Sequence, residues 1–379
     1  MPGSELGMGA SATIGVAPGR IDLLGGVADY AGALVLEVPT RVATTVTATP
    51  GDRFEVGGVS LYASELRALA ALGDEEVRRE LEDVPSWTRY PIGVAIVLLR
   101  DQVIAPPMVR LEVTSDVPIG MGVSSSAALE VATARALGAD RRLDPLQLAL
   151  LCQGAENRIV GAPCGIMDQV AVAVGTVGHV LPILCRPAAV EAGVALPAGT
   201  EVVGWPSGAG HDIAGKPYAT ARAASFMGRR IVEAASGSRW SWTSEVPAHL
   251  LAELPDEIDG ATFLDRWGDT DDPLTVVEPE ARYPVRAATT FGVEEHQRTN
   301  QAVELVRSGD PRELGALLAA SHAGYAAMGL GHPATDAIVS DALDRPGVHA
   351  ARASGGGSGG TVAVLCDTGA LDDIEGIIR

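Results

Sequence analysis

The segment Pro118-Ile-Gly-Met-Gly-Val-Ser-Ser-Ser-Ala127 decides the fold, because it joins a predicted strand to a predicted helix through glycines and serines. Its flanks predict a strand over residues 109–117 and, from Ala, Leu, Glu and Val at helical spacing, a helix over 125–137. Glycine accepts positive φ and carries no Cβ, so the first N–H groups of the helix can approach an anion closely. The segment therefore indicates a phosphate-binding turn.

This turn is not a Walker A loop, since that motif requires G-x-x-x-x-G-K-[ST] and no lysine follows the glycines here. A helix capped by serine explains the same spacing equally well. The segment alone leaves both interpretations open, and the other motifs of the chain must decide between them.

Three further segments carry candidate functional residues. Ala17-Pro-Gly-Arg20 is followed by Asp22 and by Asp29-Tyr30, and the other two segments are residues 161–169 and 354–360. Taken singly, an arginine and an aspartate beside glycines are typical of a structural ion pair, and a glycine and serine run is typical of a flexible linker. The run at 354–360 lies between two predicted strands, however, which favours a site lined by backbone.

The first part of the chain predicts β-structure. The Pro18-Gly19 pair predicts a turn between an entry strand and a strand over 21–24, and residues 33–46 predict another strand. The segment 186–200, rich in Pro, Ala and Gly, predicts a boundary between two domains, and the acidic stretch 253–280 predicts a helical insertion. Elsewhere the pattern predicts helices over 145–160, 216–235 and within 293–343, and strands over 201–205, 348–353 and 361–366.

The composition is that of a globular protein, with 379 residues of which 47% are hydrophobic and 20% charged. A net charge of -20 repels polyanions, so nucleic acids and anionic membranes are not expected as partners. A phosphate-bearing ligand remains compatible with this charge, since backbone N–H groups, helix N-termini and metal ions do not enter the count.

Cysteine usage and the first residues predict the compartment. The four cysteines show no C-x-x-C spacing, so neither a zinc site nor a disulfide framework is predicted. The opening lacks the basic region and apolar core of a signal peptide, and the longest apolar run, residues 92–99, is too short to cross a bilayer. We expect a cytoplasmic protein with reduced thiols and a disordered start over residues 1–12.

In this order, the segments resemble the signature motifs of the GHMP kinases. Residues 17–30 resemble the sugar-binding opening of galactokinases, residues 118–128 the phosphate-binding loop, and residues 354–360 the C-terminal glycine motif. Residues 161–169 are similar to the galactokinase segment that bears the catalytic aspartate. Four motifs in register over nearly the whole chain make the resemblance specific.

Within that superfamily, the chain resembles the kinase domain of plant-type L-arabinokinases, through its opening and through residues 160–165 and 224–229. The resemblance implies an α+β GHMP kinase fold. A ribosomal-protein-S5-domain-2-like N-terminal domain is expected over residues 13–195, and a ferredoxin-like α+β C-terminal domain over 196–379, with the active site between them. We expect the kinase unit alone, without the glycosyltransferase-like domain of the plant proteins.

The resemblance also implies roles for single residues. Asp168 matches the catalytic aspartate and Arg20 the arginine beside it, whereas Ser126 and Glu156 match ligands of Mg²⁺. The neighbouring serines leave the choice of metal-binding serine open by one position, and His211 is compatible with a pocket residue or a structural one. The positions implied for the sugar are Asp29, Gly26, Val27, Gly165 and Tyr218, and those implied for ATP are Pro118, Gly120, Gly122, Ser124, Ser125, Ser126, Gly356 and Gly357.

Two positions bear on the sugar. Galactokinases carry a glutamate and a histidine that resemble contacts for the C6 hydroxymethyl, and this chain has Gly26 and Val27 there. L-Arabinopyranose lacks the C6 group, so loss of two polar partners suits a pentose, but a wider pocket would equally admit a bulkier C6 substituent. We expect ATP-dependent phosphorylation of the C1 hydroxyl of L-arabinose or a related galacto-configured sugar. The alternatives are a galactokinase, a kinase for a sugar with another C6 group, and a catalytically silent sugar sensor.

Overall fold

The computed structural model describes residues 11–209, 216–309 and 313–379, in which two main β-sheets carry packed helices. Residues 1–10 of the expected disordered start, and His211, lie outside the described residues. The helices of the described residues are α1 Ala63–Ala71, α2 Asp74–Glu80, α3 Arg89–Arg100, α4 Ser125–Ala136, α5 Pro145–Ala155, α6 Met167–Val174, α7 Lys216–Ser236, α8 Gly260–Trp267, α9 Val285–Ser308, α10 Leu314–Ala327 and α11 Pro333–Leu343. The strands are β1 Thr13–Leu24, β2 Leu34–Pro50, β3 Phe54–Val56, β4 Val59–Leu61, β5 Val109–Ser115, β6 His179–Leu184, β7 Ala189–Val190, β8 Val194–Ala195, β9 Thr200–Pro206, β10 Ile258–Asp259, β11 Arg282–Tyr283, β12 Val348–Ala353 and β13 Thr361–Asp367.

The first sheet contains β1 to β8. Its order is β4-β3-β5-β2-β6-β7, with β1 paired to β2 and β8 paired to β6, and β3 and β5 are parallel neighbours. The alternating Val and Thr of β2 suit a half-buried strand, because branched side chains fit a pleated surface. Helices α3 to α6 complete an aliphatic core with this sheet.

β1 runs unbroken through the Pro18-Gly19 pair, so the predicted turn at this position is wrong. The register with β2 shifts at this pair, because Gly19 of β1 lies opposite residues 40–42 of β2. A Cβ on Gly19 would lie 2.9 Å from the carbonyl oxygen of Val123, and the backbone N–H of Arg20 donates to the same oxygen at 3.1 Å. Gly19 therefore lets β1 lie against the loop that follows β5. A local turn signal cannot distinguish this long-range contact from a chain reversal.

Two of the predicted helices, α4 and α5, lie beside the candidate functional residues. α4 begins at Ser125, as the sequence predicts. The helix predicted over 145–160 is observed as α5 followed directly by a π-helix, Glu156–Val160. The wider π turn ends at Gly161, which has a left-handed conformation, and such turns are frequent at functional sites.

The second sheet is antiparallel, with the order β12-β13-β9, and α10 and α11 pack against β12. Residues 354–360 connect its two C-terminal strands, and the acidic stretch 253–280 contains α8. The α+β class is confirmed, whereas the domain boundary between residues 195 and 196 stays a prediction. None of the helices in the described ranges is long and apolar enough to span a membrane.

Candidate active site

A buried arginine and aspartate form the centre of the site. Arg20 follows Gly19 on β1, and Asp168 lies in the first turn of α6. The Nε and Nη2 groups of Arg20 donate to Oδ1 of Asp168 at 2.9 and 2.6 Å, and Nη1 donates to the carbonyl oxygen of Gly122 at 2.7 Å. Burial opposes the charge of Arg20, but Asp168 and then Glu37 outweigh it and raise the pKa of the guanidinium. Arg20 therefore stays charged and fixes the orientation of the aspartate.

Glu37 of β2 is a member of this cluster that sequence reasoning missed. Its Oε2 lies 3.1 Å from Nε of Arg20, and its side chain is fully buried. Within the described part of the chain neither carboxylate oxygen has a hydrogen-bond partner, because the guanidinium N–H groups point to Asp168 and Gly122. Burial raises the pKa of Glu37 well above its usual range, against the opposing charge of Arg20. A strand of Val and Leu gave no local signal for a buried acid.

Asp29 approaches the centre from the 3₁₀ helix Gly26–Asp29. It is buried, and its Oδ1 accepts the backbone N–H of Tyr30 at 2.6 Å. A Cβ on Gly165 would overlap the Asp29 carboxylate, so glycine is required there for the carboxylate to lie in place. Burial and then the charge of Asp168 raise the pKa of Asp29 to about 7, which lets the group donate or accept a hydrogen bond near neutral pH.

A small cavity opens over these groups. Tyr218 of α7 closes one side of it and packs edge-on against Tyr30, with ring centroids 6.0 Å apart. Of the residues expected to contact a sugar, all but Gly26 line this cavity. Its walls are Arg20, Val27, Asp29, Gly122, Ser124, Cys164, Gly165, Met167, Asp168, Tyr218 and Gly356.

Arg222, one helical turn after Tyr218, is a second residue that sequence reasoning missed. Arg222 is buried, and its Nε and Nη2 groups donate to the carboxylate of Asp272 at 2.8 and 3.0 Å. Its guanidinium carbon lies 5.3 Å from the centre of the Tyr30 ring. Its charge also opposes the rise in the pKa of Asp29. Arg222 thereby supports the cavity indirectly, since it packs on Tyr30 and Tyr30 packs on Tyr218. Its spacing from Tyr218 on one helix was the available signal.

The turn before α4 is a cradle of backbone N–H groups. Gly120, Gly122 and Ser124 have φ values of 69°, 70° and 61°, so left-handed residues alternate with others along the turn. Such alternation makes successive N–H groups converge on an anion. The Oγ of Ser124 is buried without a hydrogen-bond partner among the described residues, as expected of a group that awaits a ligand.

A larger groove of about 680 Å³ lies on the other side of this turn. Gly122 and Ser124 line both the groove and the small cavity, so the turn forms the wall between them. Of the positions expected to contact ATP, Gly120, Gly122 and Ser124 to Ser126 line the groove, whereas Pro118 does not. Aromatic and aliphatic residues complete it, including Trp87, Tyr90, Ile119 and Leu129.

Two buried glutamates share a hydrogen-bond donor, and one of them, Glu156, lines the groove. Glu156 starts the π-helix, and its Oε2 accepts Nε2 of Gln169 at 2.6 Å, while the same amide donates to Oε2 of Glu130 at 3.0 Å. Burial, then the charge of Asp168, raises the pKa of Glu156 to about 7, although Ser126 hydrogen-bonds to it. Oε1 of Glu130 has no hydrogen-bond partner in the ranges that the structure describes. These carboxylate oxygens outnumber their donors and lie near the turn before α4, so the arrangement is suited to binding a hard cation.

The described residues contain no group of three or more His, Cys, Asp and Glu side chains able to hold a metal ion by themselves. A cation held by Ser126 and Glu156 would therefore take its other ligands from water and from a bound phosphate, the usual manner for Mg²⁺.

The C-terminal glycine segment packs directly on the phosphate turn. A Cβ on Gly355 would lie 2.9 Å from the carbonyl oxygen of Gly122, and the Gly355 N–H donates to Oδ2 of Asp22 at 3.0 Å. Gly356 lines the small cavity, whereas a Cβ on Gly357 would lie 2.7 Å from the carbonyl oxygen of Leu330. The two residues expected to contact ATP here are therefore placed behind the turn, not in the groove.

Gly26 faces away from the cavity into protein. A Cβ there would overlap the hydroxyl of Tyr325 and lie 3.0 Å from Nη2 of Arg352. Arg352 is fully buried and pairs with Oδ2 of Asp22 at 2.8 Å. Neither Tyr325 nor Arg352 was identified from sequence, because both lie some three hundred residues from the opening segment.

Two family models match the chain. These are the GHMP kinases N terminal domain, over residues 89–176, and the GHMP kinases C terminal, over residues 302–379. A galactokinase from Chloroflexus aggregans is 33% identical over 94% of this chain and 84% of its own length. The chain belongs to the GHMP kinase family, which implies that it uses a phosphoryl donor.

Two further relatives indicate which members of the family this chain resembles. Human galactokinase is 31% identical over 93% of this chain and 83% of its own length. L-Arabinokinase from Arabidopsis thaliana is 32% identical over 92% of this chain, which spans 42% of that longer protein. The resemblance to galactokinases and to L-arabinokinase is confirmed.

Solved structures confirm the predicted GHMP kinase fold. Lactococcus lactis galactokinase complexed with galactose matches with a TM-score of 0.77 over 97% of this chain and 89% of that chain, at 20% identity. Methanococcus jannaschii mevalonate kinase matches with a TM-score of 0.59 over 98% and 97%, at 15% identity. At sequence identities this low, the structural likeness shows a shared fold.

Proposed function

We propose that this chain transfers a phosphoryl group from ATP to the C1 hydroxyl of L-arabinose or a related galacto-configured sugar, giving the sugar 1-phosphate. The observation that carries the proposal is the position of the Arg20–Asp168 pair. It lies in the wall of the small cavity, next to Gly122 and Ser124, which are shared with the groove. An acceptor in the cavity and a phosphate donor in the groove would meet at this wall.

Asp168 orients the acceptor. Both N–H groups of Arg20 that reach it bind Oδ1, so Oδ2 can accept the proton or the hydrogen bond of the sugar hydroxyl. The guanidinium also donates to the phosphate turn through Gly122, and its charge offsets charge on the transferring group. Phosphoryl transfer with a loose transition state requires mainly this alignment and electrostatic support.

The remaining residues hold the two substrates. Asp29 and Tyr218 supply polar contacts to sugar hydroxyls, with Gly165 leaving room for the Asp29 carboxylate. The turn from Gly120 to Ser126 cradles the phosphates of ATP in the groove. Bound Mg²⁺, held by Ser126 and Glu156, would neutralise phosphate charge during the transfer. We propose a cytoplasmic location, where these substrates are found.

The test is ADP release with MgATP over a panel of L-arabinose, D-galactose, D-fucose, D-galacturonate and D-glucose, comparing kcat/KM. Phosphorus NMR of the product would locate the phosphate at C1 through its coupling to the anomeric proton. Preference for L-arabinose supports the main proposal, and preference for D-galactose or a sugar with a larger C6 group supports a kinase with another specificity. Sugar binding without turnover by any member of the panel would contradict the kinase and favour a sensor.

A further inference from the structure

Tyr325 of α10 connects two walls of the small cavity without lining it. Its side chain is fully buried, its hydroxyl donates to the carbonyl oxygen of Gly355, and it accepts the backbone N–H of Val27 at 3.2 Å. Val27 lines the cavity, and so does Gly356, the neighbour of Gly355. One hydroxyl therefore fixes the distance between the opening segment and the glycine segment.

The same hydroxyl occupies the space beside Gly26. A Cβ built on Gly26 would overlap Oη of Tyr325 and lie 2.9 Å from Cζ, and Gly26 already has a φ of 51°. Of the two interpretations that the sequence left open, the wider pocket is therefore not supported. The volume that a side chain would have at position 26 is filled by protein, and no room is gained for a bulkier sugar.

Tyr325 is itself held firmly. The guanidinium carbon of Arg352 lies 4.9 Å from the centre of its ring, and Phe291 packs on it with ring centroids 5.5 Å apart. Arg352 is anchored by Asp22, whose other oxygen accepts the N–H of Gly26 at 3.0 Å. The tyrosine cannot turn away to enlarge the cavity without breaking this buried cluster.

We propose that Tyr325 is a specificity-determining positioning residue, which keeps the sugar cavity small and so favours a pentopyranose over a hexopyranose. The inference rests on the proposed function, since it concerns the acceptor site of that reaction. Tyr325 acts through Val27 and the glycine segment and touches no reacting atom. Its effect is therefore expected in sugar binding and sugar preference, not in the use of ATP.

The decisive variant is Tyr325→Phe, which keeps the ring and removes the hydroxyl. The KM for L-arabinose should rise roughly tenfold, and the preference for L-arabinose over D-galactose in kcat/KM should fall about fivefold or more, because the two walls lose their common hydrogen-bonding partner. The KM for ATP should stay within about twofold of the parent. Tyr283→Phe is the matched control, since that buried hydroxyl accepts the N–H of Glu278 at 2.7 Å and is not part of either cavity wall.

Titration calorimetry with L-arabinose and D-galactose, on the parent and both variants, measures the same preference without turnover. An unchanged preference in Tyr325→Phe, or a shift equal to that in Tyr283→Phe, would overturn the inference and leave the kinase intact. A preference of the parent protein for D-galactose over L-arabinose would also overturn the inference and leave the kinase intact. Absence of turnover with a retained binding preference would overturn the proposed function and leave the role of Tyr325 standing.

A double-mutant cycle with Gly26→Ala tests the contact itself. The added methyl group collides with the hydroxyl of Tyr325 in the parent, so Gly26→Ala should weaken sugar binding and lower the melting temperature. In the Tyr325→Phe background the same change should weaken binding several-fold less, because the hydroxyl, by far the nearest of the colliding atoms, is gone. Strict additivity of the two changes would show that position 26 and Tyr325 do not share this space.

Discussion

The two segments rich in glycine and serine look alike in sequence but differ in what surrounds them. Most of residues 119–126 line an open groove and shape a backbone N–H cradle beside it, whereas residues 354–360 are largely buried, with Gly355 against the first segment. In the first, positive φ values shape a cradle; in the second, Gly355 lets one backbone approach another. Glycine thus serves ligand binding in one segment and packing in the other, and composition alone does not separate these uses.

The largest effect is expected at Asp168, which lines the small cavity together with residues of both segments. Asp168→Asn keeps the shape but loses the charge that orients the acceptor and pairs with Arg20, so kcat should fall by about a thousandfold. The measurement is ADP release under saturating MgATP and sugar. Asp101→Asn, at an exposed position, is the control. Turnover within tenfold of the parent would contradict the role given to Asp168.

The next largest effect tests the packing role of the second segment. Gly355→Ala places a Cβ 2.9 Å from the carbonyl oxygen of Gly122 at a residue with a φ of 68°, and should lower the free energy of unfolding by about 3 kcal/mol. Gly138→Ala separates the effect of the positive φ from that of the collision, since Gly138 has a φ of 78° with open space around it. This substitution should lower the free energy of unfolding by only about 1 kcal/mol. Urea unfolding measures both. Equal losses would mean that packing on the phosphate turn contributes nothing.

A smaller effect, of a different kind, is expected in the first segment. Ser126→Ala removes a hydroxyl from the groove and from Glu156, so the KM for MgATP should rise roughly tenfold, which is about 1.4 kcal/mol. The melting temperature should change little, because Ser126 is only partly buried. If Ser126→Ala destabilised the fold as much as Gly355→Ala, the contrast between a binding segment and a packing segment would be lost.

The smallest effect concerns charge in the sugar cavity. The pKa of Asp29 is raised to about 7, so its contribution to stability is complete below the unfolded pKa and is lost as the pH rises through 7. Between pH 6 and 7 this loss amounts to about 1 kcal/mol for the ligand-free protein. Asp29→Asn cannot ionise and should remove that part of the pH dependence in thermal unfolding. An identical pH profile in the variant would show that Asp29 does not titrate there.

Much of the fold and part of the site could be predicted because their signals are local. The strand, turn and helix around residues 118–127 follow from hydrophobic spacing and glycine chemistry, and Arg20 and Asp168 stand out within short motifs. Local signals failed at Pro18-Gly19, where the strand continues and only its register with β2 shifts. A Pro-Gly pair has the same short-range chemistry in a turn and in a continuous strand, and only the partner loop decides between them.

The sequence by itself determined the order of the motifs, the α+β class and the residues that meet at the phosphate turn. Only the tertiary structure decided that Glu37 and Glu130 are buried acids, that Gly357 packs on Leu330, and that Tyr325 fills the space beside Gly26. The reason is physical: desolvation and steric exclusion depend on every atom nearby, and here those atoms come from distant parts of the chain. Spacing along a sequence records which groups are available, whereas the fold sets what each of them touches.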